Sequence, residues 1–447
     1  MRVSDLKISI SGIRGIVGKS LTPQLLIKFS EAFSSYISGD RIGIATDTRP
    51  SADMVKHAVI AGVQSCRGFP LDLGILPIPT LQIYTREKKL DGAISITASH
   101  NPVQWNALKL IKKGGFFLFP FEAEELLDFY YQGKFHRTGF PHEVRKVEDA
   151  FIPHQKKILD FVDVECIKKC RPKVVIDPCG GAAAPYVISF LENLGAEVIG
   201  INGEISGDFP RNPEPVPENI QDLCRIVKAT GADIGFAQDA DADRLAAVDE
   251  NGIPLGEEYT LALAACSFLK YKQKSPMVVN LSTSKVMEDI ASKEGVELYR
   301  SKVGEINVTR LMIEKKAKFG GEGNGGVIAS EIHTCRDSFT GMALLLEFLA
   351  RSGKKISELR AELPSYFMIK SKKKASYREG KQILNRIRQE FQGGEINVQD
   401  GLRVVYPEFW FHLRPSNTEP VVRILVESSQ KQTAYEIFDR LSTLISA

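Results

Sequence analysis

The stretch KVVIDPCGGAAAPYVISFLENLGAEVIG, residues 173–200, predicts how the larger part of this chain folds. It begins with a short apolar strand (173–177), continues through a Pro-Cys-Gly-Gly turn into a helix (182–193), and ends in a second apolar strand (196–200). Apolar strands that alternate with helices of about 10–15 residues are typical of βαβ units in parallel sheets. The stretch therefore predicts an α/β domain.

The same pattern occurs twice more, in residues 41–73 and 276–299. Three such units predict three similar α/β domains with mixed, largely parallel sheets. In the last part of the chain a helix (377–391) precedes alternating strands and a final amphipathic helix (433–445), which predicts a smaller C-terminal α+β domain. The basic segment Lys370–Lys374 before it is interpreted as a linker that lets this domain rotate. The predicted domains are 1–150, 151–253, 254–368 and 369–447.

Composition and charge exclude several classes of function. The chain has 447 residues, with 58 Lys and Arg against 55 Asp and Glu, so its net charge of +3 is too weak to indicate a nucleic-acid or membrane partner. No apolar stretch reaches the ~20 residues of a membrane span, and residues 1–10 lack the apolar core of a signal peptide. Seven irregularly spaced cysteines do not indicate a disulfide framework. We expect a cytoplasmic protein, monomeric or homodimeric.

The loop DADADR, residues 239–244, combines three carboxylates between two apolar strands. Carboxylate oxygens without His or Cys suit a hard cation such as Mg²⁺, and ligands of parallel sheets bind beyond the carboxyl ends of the strands. An EF-hand loop is the first alternative, but it requires Gly at the position of Arg244 and helices on both sides. A solvated acidic loop is the second. The pattern favours a Mg²⁺ site formed by Asp239, Asp241 and Asp243.

Residues 97–102, TASHNP, follow the apolar strand 92–96. A serine held in a tight loop beyond a strand can act as a nucleophile or a phosphate acceptor, so Ser99 is a candidate. An ordinary polar turn is the alternative, because Ser and Asn are common turn residues. His100 is adjacent to Ser99, but neighbouring side chains of an extended segment point apart, which argues against His100 as the base for Ser99.

Two further loops carry polar groups. RPSNTE, residues 414–419, offers a guanidinium, hydroxyls, an amide and backbone N–H groups, and Arg423 follows; this set suits a phosphate, with a polar hairpin turn as the equal alternative. GEGNGG, residues 321–326, matches a dinucleotide fingerprint, but the apolar residues after it predict a strand where that motif opens a helix. Glu322 and Asn324 in this loop are interpreted as groups that recognise hydroxyls, and a purely structural glycine turn is the alternative.

Together with SGIRG, residues 11–15, these four loops resemble in chain order the signature segments of the α-D-phosphohexomutase superfamily. The resemblance extends from residue 11 to residue 427. It implies three similar α/β domains and a smaller fourth domain around a central cleft. It also implies Mg²⁺ and a phosphoserine at Ser99 as cofactors, with small sugar phosphates as the molecules that bind.

The resemblance assigns a role to each candidate residue. The implied catalytic residues are Ser99, Lys109, Arg14, His100 and Arg244, with Ser99 carrying the transferable phosphate and Lys109 acting as acid and base. The implied metal ligands are Ser99, Asp239, Asp241 and Asp243. The implied substrate-binding residues are Glu322, Asn324, Glu305, Arg414, Ser416, Asn417, Thr418 and Arg423. Glu305 and Glu322 could pair with a substrate ammonium group.

Some residues depart from the usual family pattern. Ala240 replaces a glycine of the metal loop, Asn324 replaces a serine, and Glu305 stands where phosphomannomutase/phosphoglucomutase enzymes tend to have His. These details resemble the archaeal-type phosphoglucosamine mutase branch. We therefore expect interconversion of glucosamine 6-phosphate and glucosamine 1-phosphate through a bound hexose 1,6-bisphosphate. The alternatives are a phosphomannomutase/phosphoglucomutase, a non-catalytic sugar-phosphate binding protein and a Mg²⁺ phosphatase.

Overall fold

The computed structural model describes residues 6–9, 12–37, 39–416 and 420–446. The chain forms two compact units: unit 1 comprises residues 1–268 and 324–360, and unit 2 comprises residues 269–323 and 361–447. Among the described helices, none has the length and apolar content of a membrane-spanning segment.

The first sheet of unit 1 has the described strand order β1-β2-β6-β5-β3-β4-β8, with β7 paired to β6. Strand β3 is parallel to β4 and β5, whereas β5, β2 and β7 are antiparallel to β6. Its strands are β1 (Lys7–Ser9), β2 (Gly12–Ile16), β3 (Arg41–Thr46), β4 (Phe69–Ile75), β5 (Gly92–Ile96), β6 (Trp105–Lys112), β7 (Phe116–Phe117) and β8 (Arg145–Lys146). The helices between them are α1 (Pro23–Tyr36), α2 (Ala52–Ser65), α3 (Ile78–Glu87) and α4 (Pro120–Gln132). Buried apolar side chains of α1 and α2, among them Phe29, Phe33 and Val59, pack with those of β3 and β5.

The second sheet of unit 1 has the order β10-β9-β11-β12, with β9 parallel to β10 and β11. Its strands are β9 (Lys173–Asp177), β10 (Glu197–Gly200), β11 (Ile234–Gln238) and β12 (Leu245–Asp249). The helices in this part are α5 (Ile152–Phe161), α6 (Val164–Cys170), α7 (Val187–Leu194) and α8 (Gln221–Thr230). Unit 1 continues to residue 268, within helix α9 (Glu257–Tyr271), and resumes at residue 324. The elements after residue 324 are strand β16 (Gly326–Ala329) and helices α12 (Ser338–Ser352) and α13 (Ile356–Ala361).

Unit 2 contains a parallel arrangement and an antiparallel sheet. Strand β13 (Met277–Asn280) is parallel to β14 (Leu298–Ser301) and to β15 (Phe319–Glu322), with helices α10 (Val286–Glu294) and α11 (Glu305–Lys315) between them. The antiparallel sheet has the order β17-β21-β20-β19-β18. Its strands are β17 (Phe367–Lys374), β18 (Glu395–Asn397), β19 (Leu402–Val405), β20 (Phe409–Pro415) and β21 (Val421–Ser428), and its helices are α14 (Tyr377–Glu390) and α15 (Lys431–Ser446).

The predicted fold class is confirmed. Each of the three quoted stretches contains a parallel strand pair joined through a helix, namely β3 with β4, β9 with β10, and β13 with β14. The C-terminal part is the expected smaller α+β arrangement. One prediction is wrong: the basic segment Lys370–Lys374 is not a linker, because it lies in β17 and pairs along its length with β21.

The side chains of β21 alternate between the face that packs against helices and the opposite face of the antiparallel sheet. Val422, Ile424 and Val426 are buried with Ile387 of α14 and Leu441 of α15, so both helices cover one face. Side chains of a strand alternate between the faces, and Arg423 therefore projects from the other one.

Candidate active site

Ser99 occupies a loop directly after β5 and has a left-handed backbone, with φ of 51°. Few non-glycine residues adopt this conformation without support from their surroundings. The side chain of Thr97 provides part of that support, since its Oγ1 accepts a hydrogen bond from the Ser99 N–H at 3.0 Å. Ser99 is only 4% exposed, and its Oγ donates to Oδ2 of Asp239 at 2.8 Å. The serine predicted from the sequence is thus joined to the predicted metal loop.

The expectation for His100 was wrong in its geometry. Because the left-handed backbone of Ser99 turns the chain, the two side chains converge, and His100 Nδ1 lies 3.4 Å from Ser99 Oγ. Burial lowers the pKa of His100 to about 2, and the positive charges of Arg244 and Arg14 lower it further in the same direction. The imidazole is therefore neutral near pH 7 and can accept or donate a hydrogen bond.

The three aspartates follow β11 and cluster as the sequence predicts. They are at most 1% exposed, and one carboxylate oxygen from each lies within 4.8 Å of the others. Asp239 Oδ1 accepts hydrogen bonds from the backbone N–H groups of Asp243 and Arg244, both at 3.1 Å. A left-handed residue, Ala242 with φ of 60°, folds the loop so that these contacts form.

The donor set fits a divalent cation. Among the described atoms, the buried oxygens Asp241 Oδ1 and Asp243 Oδ1 accept no hydrogen bond, although buried polar atoms are normally satisfied. Burial, together with the charges of Asp241 and Asp243, raises the pKa of Asp239 well above its usual range. A bound cation would reduce the repulsion among the three carboxylates and would be coordinated by the oxygens that accept no hydrogen bond. A set of ligands made only of oxygens favours Mg²⁺ or a similar hard ion.

Basic side chains partly balance this negative charge. Lys109 Nζ lies 2.6 Å from Asp241 Oδ2 and 4.0 Å from Asp243 Oδ2. Although burial alone would raise the pKa of Asp241, the Lys109 ammonium outweighs it and holds that pKa below its usual range. Arg336 forms an ion pair and hydrogen bond with Asp243. Lys109 therefore lies beside the predicted metal loop, and its role as acid and base stays a prediction. Arg336, just before α12, was missed because no motif spacing connects it with residue 243.

The two predicted arginines of this region also lie beside its loops. Arg14 Nη1 donates to Asn101 Oδ1 at 2.6 Å, within the loop that carries Ser99. Arg244 Nη1 lies 3.3 Å from Glu214, and Arg244 Nε lies 3.8 Å from Asp243 Oδ1. Unit 1 thus unites Ser99, His100, Lys109, both arginines and the three aspartates.

In unit 2, Glu322 at the end of β15 is held in one orientation. Its Oε1 accepts hydrogen bonds from Asn280 Nδ2 and from the Gly304 N–H, both at 2.8 Å. Asn280, at the end of β13, is a second residue that sequence reasoning missed. Glu305 is the first residue of α11 and is also buried. The two glutamates therefore belong to one unit, Glu305 at the start of α11 and Glu322 at the end of β15.

Asn324, the other predicted residue of this loop, belongs to unit 1. The adjacent Gly325 accepts a hydrogen bond at its carbonyl from the Leu245 N–H at 3.1 Å, so the loop is joined to the start of β12. The buried Oδ1 atom of Asn324 has no hydrogen-bond partner among the described atoms.

Arg414 and Arg423, two of the residues predicted to bind phosphate, lie on the face of the antiparallel sheet opposite α14 and α15. Arg414 of β20 and Lys372 of β17 are both directly opposite Arg423 of β21, so three cations form a row across three strands. Burial lowers the pKa of Arg414 and the Arg423 charge adds to this, while Asp400, 3.6 Å from Arg414 Nη1, opposes it. Like charges directly opposite each other destabilise a sheet, and an anion would relieve that cost.

The turn next to this row is described only in part. The backbone N–H of Ser416 donates to the Val421 carbonyl at 2.8 Å, which closes the turn between β20 and β21. Asn417 and Thr418 lie outside the described residues. Lys372 is a further missed residue, because its segment was interpreted as a linker.

Comparison with known proteins places these sites in a family of mutases. Models for phosphoglucomutase/phosphomannomutase α/β/α domains I, II and III match residues 6–137, 149–252 and 256–367, and the model for the C-terminal domain matches residues 368–444. The matches follow one another in chain order and define a four-domain enzyme that moves a phosphoryl group within a sugar phosphate. The chain belongs to the phosphoglucomutase/phosphomannomutase family, which confirms the resemblance found in the sequence.

Individual relatives match over nearly the whole chain. A Thermococcus kodakarensis phosphoglucomutase/phosphomannomutase is 37% identical over 438 residues, covering 96% of each chain. A probable phosphoglucosamine mutase from Methanopyrus kandleri is 34% identical over 442 residues, covering 97% of this chain and 96% of the relative. The crystal structure of a phosphoglucomutase/phosphomannomutase family protein from Burkholderia thailandensis superposes with a TM-score of 0.87 at 27% identity and 98% coverage of both chains. The protein is therefore an enzyme, an intramolecular phosphotransferase.

Proposed function

We propose that this enzyme interconverts glucosamine 6-phosphate and glucosamine 1-phosphate through a phosphorylated Ser99, a bound 1,6-bisphosphate and Mg²⁺. The observation that carries the proposal is the 2.8 Å contact between Ser99 Oγ and Asp239, in a cluster with two unsatisfied buried carboxylate oxygens. A hydroxyl that is hydrogen-bonded to a cluster of carboxylates with unpaired oxygens is the arrangement expected for a phosphate acceptor beside a divalent cation.

The proposed transfer moves one phosphoryl group and one proton. A free hydroxyl of the sugar phosphate forms a bond to the phosphorus of phospho-Ser99, and the bond between that phosphorus and Ser99 Oγ breaks. The sugar hydroxyl loses one proton and Ser99 Oγ gains one, so the bisphosphate and the free serine are the products. The reverse transfer from the other end of the bisphosphate returns the phosphoryl group to Ser99 and completes the isomerisation.

Residues of unit 1 supply the charge and the proton transfer for this step. Asp239, Asp241 and Asp243 would hold Mg²⁺, which when bound neutralises the charge that develops on the phosphoryl oxygens. Arg14 and Arg244 are proposed to bind the same phosphoryl oxygens. Lys109, whose side chain is 8% exposed beside Asp241, is the proposed proton carrier. Neutral His100, 3.4 Å from Ser99 Oγ, is proposed to orient that oxygen through a hydrogen bond.

Residues of unit 2, with Asn324, are proposed to recognise the substrate. Glu322 is held as a hydrogen-bond acceptor, which suits sugar hydroxyls or an ammonium group, and buried Glu305 adds a second carboxylate. Arg414, Arg423, Ser416, Asn417 and Thr418 are proposed to bind the phosphate that is not being transferred. Lys372 extends this cationic row, because it lies beside Arg423 on the same face.

The experiment compares kcat/KM for glucosamine, glucose and mannose 1-phosphates in parallel. We expect the highest value for the amino sugar, and we expect Glu305→Gln to reduce its advantage over glucose 1-phosphate. A higher value for mannose or glucose would assign the enzyme to the phosphomannomutase/phosphoglucomutase activity, for which the Thermococcus kodakarensis relative is named. Release of inorganic phosphate without isomerisation would instead indicate a phosphatase. The intact mass of the purified protein, before and after incubation with glucose 1,6-bisphosphate, tests whether Ser99 carries a phosphoryl group.

A further inference from the structure

Arg49, between β3 and α2, has a side chain that is fully buried next to the loop of Ser99. All five of its N–H donors are used. Nε donates to Asp47 Oδ2 at 2.9 Å, Nη1 donates to the carbonyls of Pro102 and Trp105 at 2.8 and 3.2 Å, and Nη2 donates to the carbonyls of Ser99 and Asn101 at 2.5 and 2.8 Å.

Four of these acceptors are backbone carbonyls from residues 99–105, which comprise the loop after β5 and the first residue of β6. Carbonyl dipoles that converge on one point repel each other, and in a buried position each must also be satisfied. The guanidinium of Arg49 meets both requirements, so the loop is folded around this cation. A lysine could not replace it, because an ammonium group has three donors and no planar fork.

The left-handed backbone of Ser99 is held from both sides by this arrangement. Its carbonyl is bound by Arg49, and its N–H is bound by Thr97 Oγ1 at 3.0 Å. Thr97 Oγ1 in turn donates to Asp47 Oδ2 at 2.7 Å, and Asp47 pairs with Arg49. Asp47, Arg49, Ser99 and Thr97 therefore form a closed ring of hydrogen bonds, which is the support that a strained residue requires.

No contact in this ring uses Ser99 Oγ. The ring fixes the backbone on either side of Ser99, and the free side-chain oxygen is thereby directed to Asp239 at 2.8 Å. The Phe209 ring lies 4.9 Å from the guanidinium carbon of Arg49, and the arginine has no exposed surface through which it could reach a substrate. Arg49 therefore acts on the reaction through its neighbours, above all this loop, and not by contact with the substrate.

We propose that Arg49, with Asp47 and Thr97, is the positioning device that holds Ser99 in the geometry for phosphoryl transfer, in its free and its phosphorylated form alike. The inference rests on the proposed function of Ser99. It predicts that the ring controls the rate of transfer rather than the affinity for the sugar phosphate, since a displacement of about 1 Å at a reacting atom can cost about 100-fold in rate.

The test uses two variants, Arg49→Lys and Thr97→Val, assayed in the full-length enzyme. For Arg49→Lys we expect kcat to fall about 100-fold with KM changed less than about threefold, and for Thr97→Val a loss of about 10-fold in the same parameter. The rate at which dephosphorylated enzyme takes up a phosphoryl group from glucose 1,6-bisphosphate, followed by intact mass, should fall in parallel.

Val59→Ala is the matched control for stability, because it truncates a buried side chain of α2 without touching the ring. Even if Val59→Ala lowers the melting temperature as much as the ring variants do, it should keep the wild-type rate of phosphoryl uptake. Wild-type uptake in Arg49→Lys, or a loss confined to KM, overturns the inference. If Arg49→Lys does not fold, Thr97→Val decides the question, because valine has the same shape as threonine and removes only the two hydrogen bonds of the hydroxyl.

The inference and the proposed function can fail separately. If Ser99→Ala keeps substantial turnover, the proposed function fails and the inference fails with it. If Ser99→Ala is inactive while Thr97→Val transfers the phosphoryl group at the wild-type rate, the inference alone fails.

Discussion

The polar sites of unit 1 and unit 2 balance their charges in different ways. In unit 1, cations face anions: Lys109 lies against Asp241, and Arg336 against Asp243. In unit 2, cations lie beside cations, since Arg423 has Arg414 on one side and Lys372 on the other. A site with internal pairing is organised before any substrate arrives, whereas a row of like charges is stabilised by an external anion. Substitutions in unit 1 should therefore impair the transfer step, and those in unit 2 should impair binding.

Ser99→Ala should give the largest effect. Removal of the acceptor oxygen should reduce kcat by about a thousandfold or more, because no phosphoenzyme can form. The melting temperature should hardly change, since Ser99 lies at the end of a loop and carries no core packing. Ser189→Ala, on the exposed side of α7, is the control and should be fully active. Substantial turnover of Ser99→Ala without added bisphosphate would contradict the assignment.

Asp241→Asn should give the second largest effect. It removes one proposed metal ligand and the partner of Lys109, so we expect a loss of about 100-fold in kcat, partly restored by excess Mg²⁺. The control is Asp233→Asn, because Asp233 precedes the same strand, β11, and binds the Lys173 N–H at its opposite end. Titration of activity with Mg²⁺ measures the effect. Equal activity with Ca²⁺ would contradict a site for a small octahedral cation.

Arg423→Ala should affect binding instead of transfer. Loss of a charge-assisted hydrogen bond to phosphate costs about 1.5–3 kcal/mol, which corresponds to about 10- to 150-fold in kcat/KM. The loss should be similar for the 1-phosphate and the 6-phosphate, because either end of the molecule must bind there in turn. Lys372→Gln should act in the same direction but less strongly, and Lys373→Gln, on the other face of β17, is its control. A loss for only one of the two substrates would mean that the phosphates use different sites.

The smallest effect concerns acid stability and His412 of unit 2. Its Nε2 donates to the Asp400 carbonyl at 2.6 Å, its Nδ1 accepts from Ser282, and burial lowers its pKa to about 4. In the unfolded chain the pKa is about 6.5, so between pH 6.5 and 4 the unfolded state binds more protons. As the pH is lowered through this window, the free energy of unfolding should therefore decrease by up to about 1.4 kcal/mol per pH unit.

His412→Gln should reduce this slope, because glutamine does not titrate there. Urea unfolding at several pH values between 7 and 4.5 measures it, with exposed His57→Gln as the control. His333 of unit 1, whose pKa is lowered to about 3 by burial and by Arg86, offers the parallel substitution in the other unit. An unchanged slope in His412→Gln would show that its protonation does not contribute to unfolding in acid.

Much of the fold could be predicted because it depends on neighbours in the sequence. The alternation of apolar strands and helices identified three strand pairs, and each pair is parallel, as expected for βαβ units. The cluster of Asp239, Asp241 and Asp243 was predictable for the same reason, since all three lie within one loop of five residues. Five short motifs in a fixed order then sufficed to identify the family.

The two wrong predictions concern properties that distant residues determine. Lys370–Lys374 has the composition of a solvated linker, but its backbone pairs with β21, some fifty residues away along the chain. Ser99 and His100 were expected to point apart, which is true of an extended segment. The left-handed backbone of Ser99 brings them together, and nothing in the motif itself indicates that conformation.

By itself, the sequence determined the fold class, the family and the loops that carry Ser99, the aspartates and the residues proposed to bind substrate. Only the tertiary structure decided which side chains support them: Arg49 beneath Ser99, Arg336 beside Asp243, and Asn280 beside Glu322. The physical reason is that periodicity and motif spacing record contacts within a helix, a strand or a loop. A hydrogen bond between residues that are 42, 50 or 93 positions apart leaves no such pattern, because it forms only when separate elements pack together.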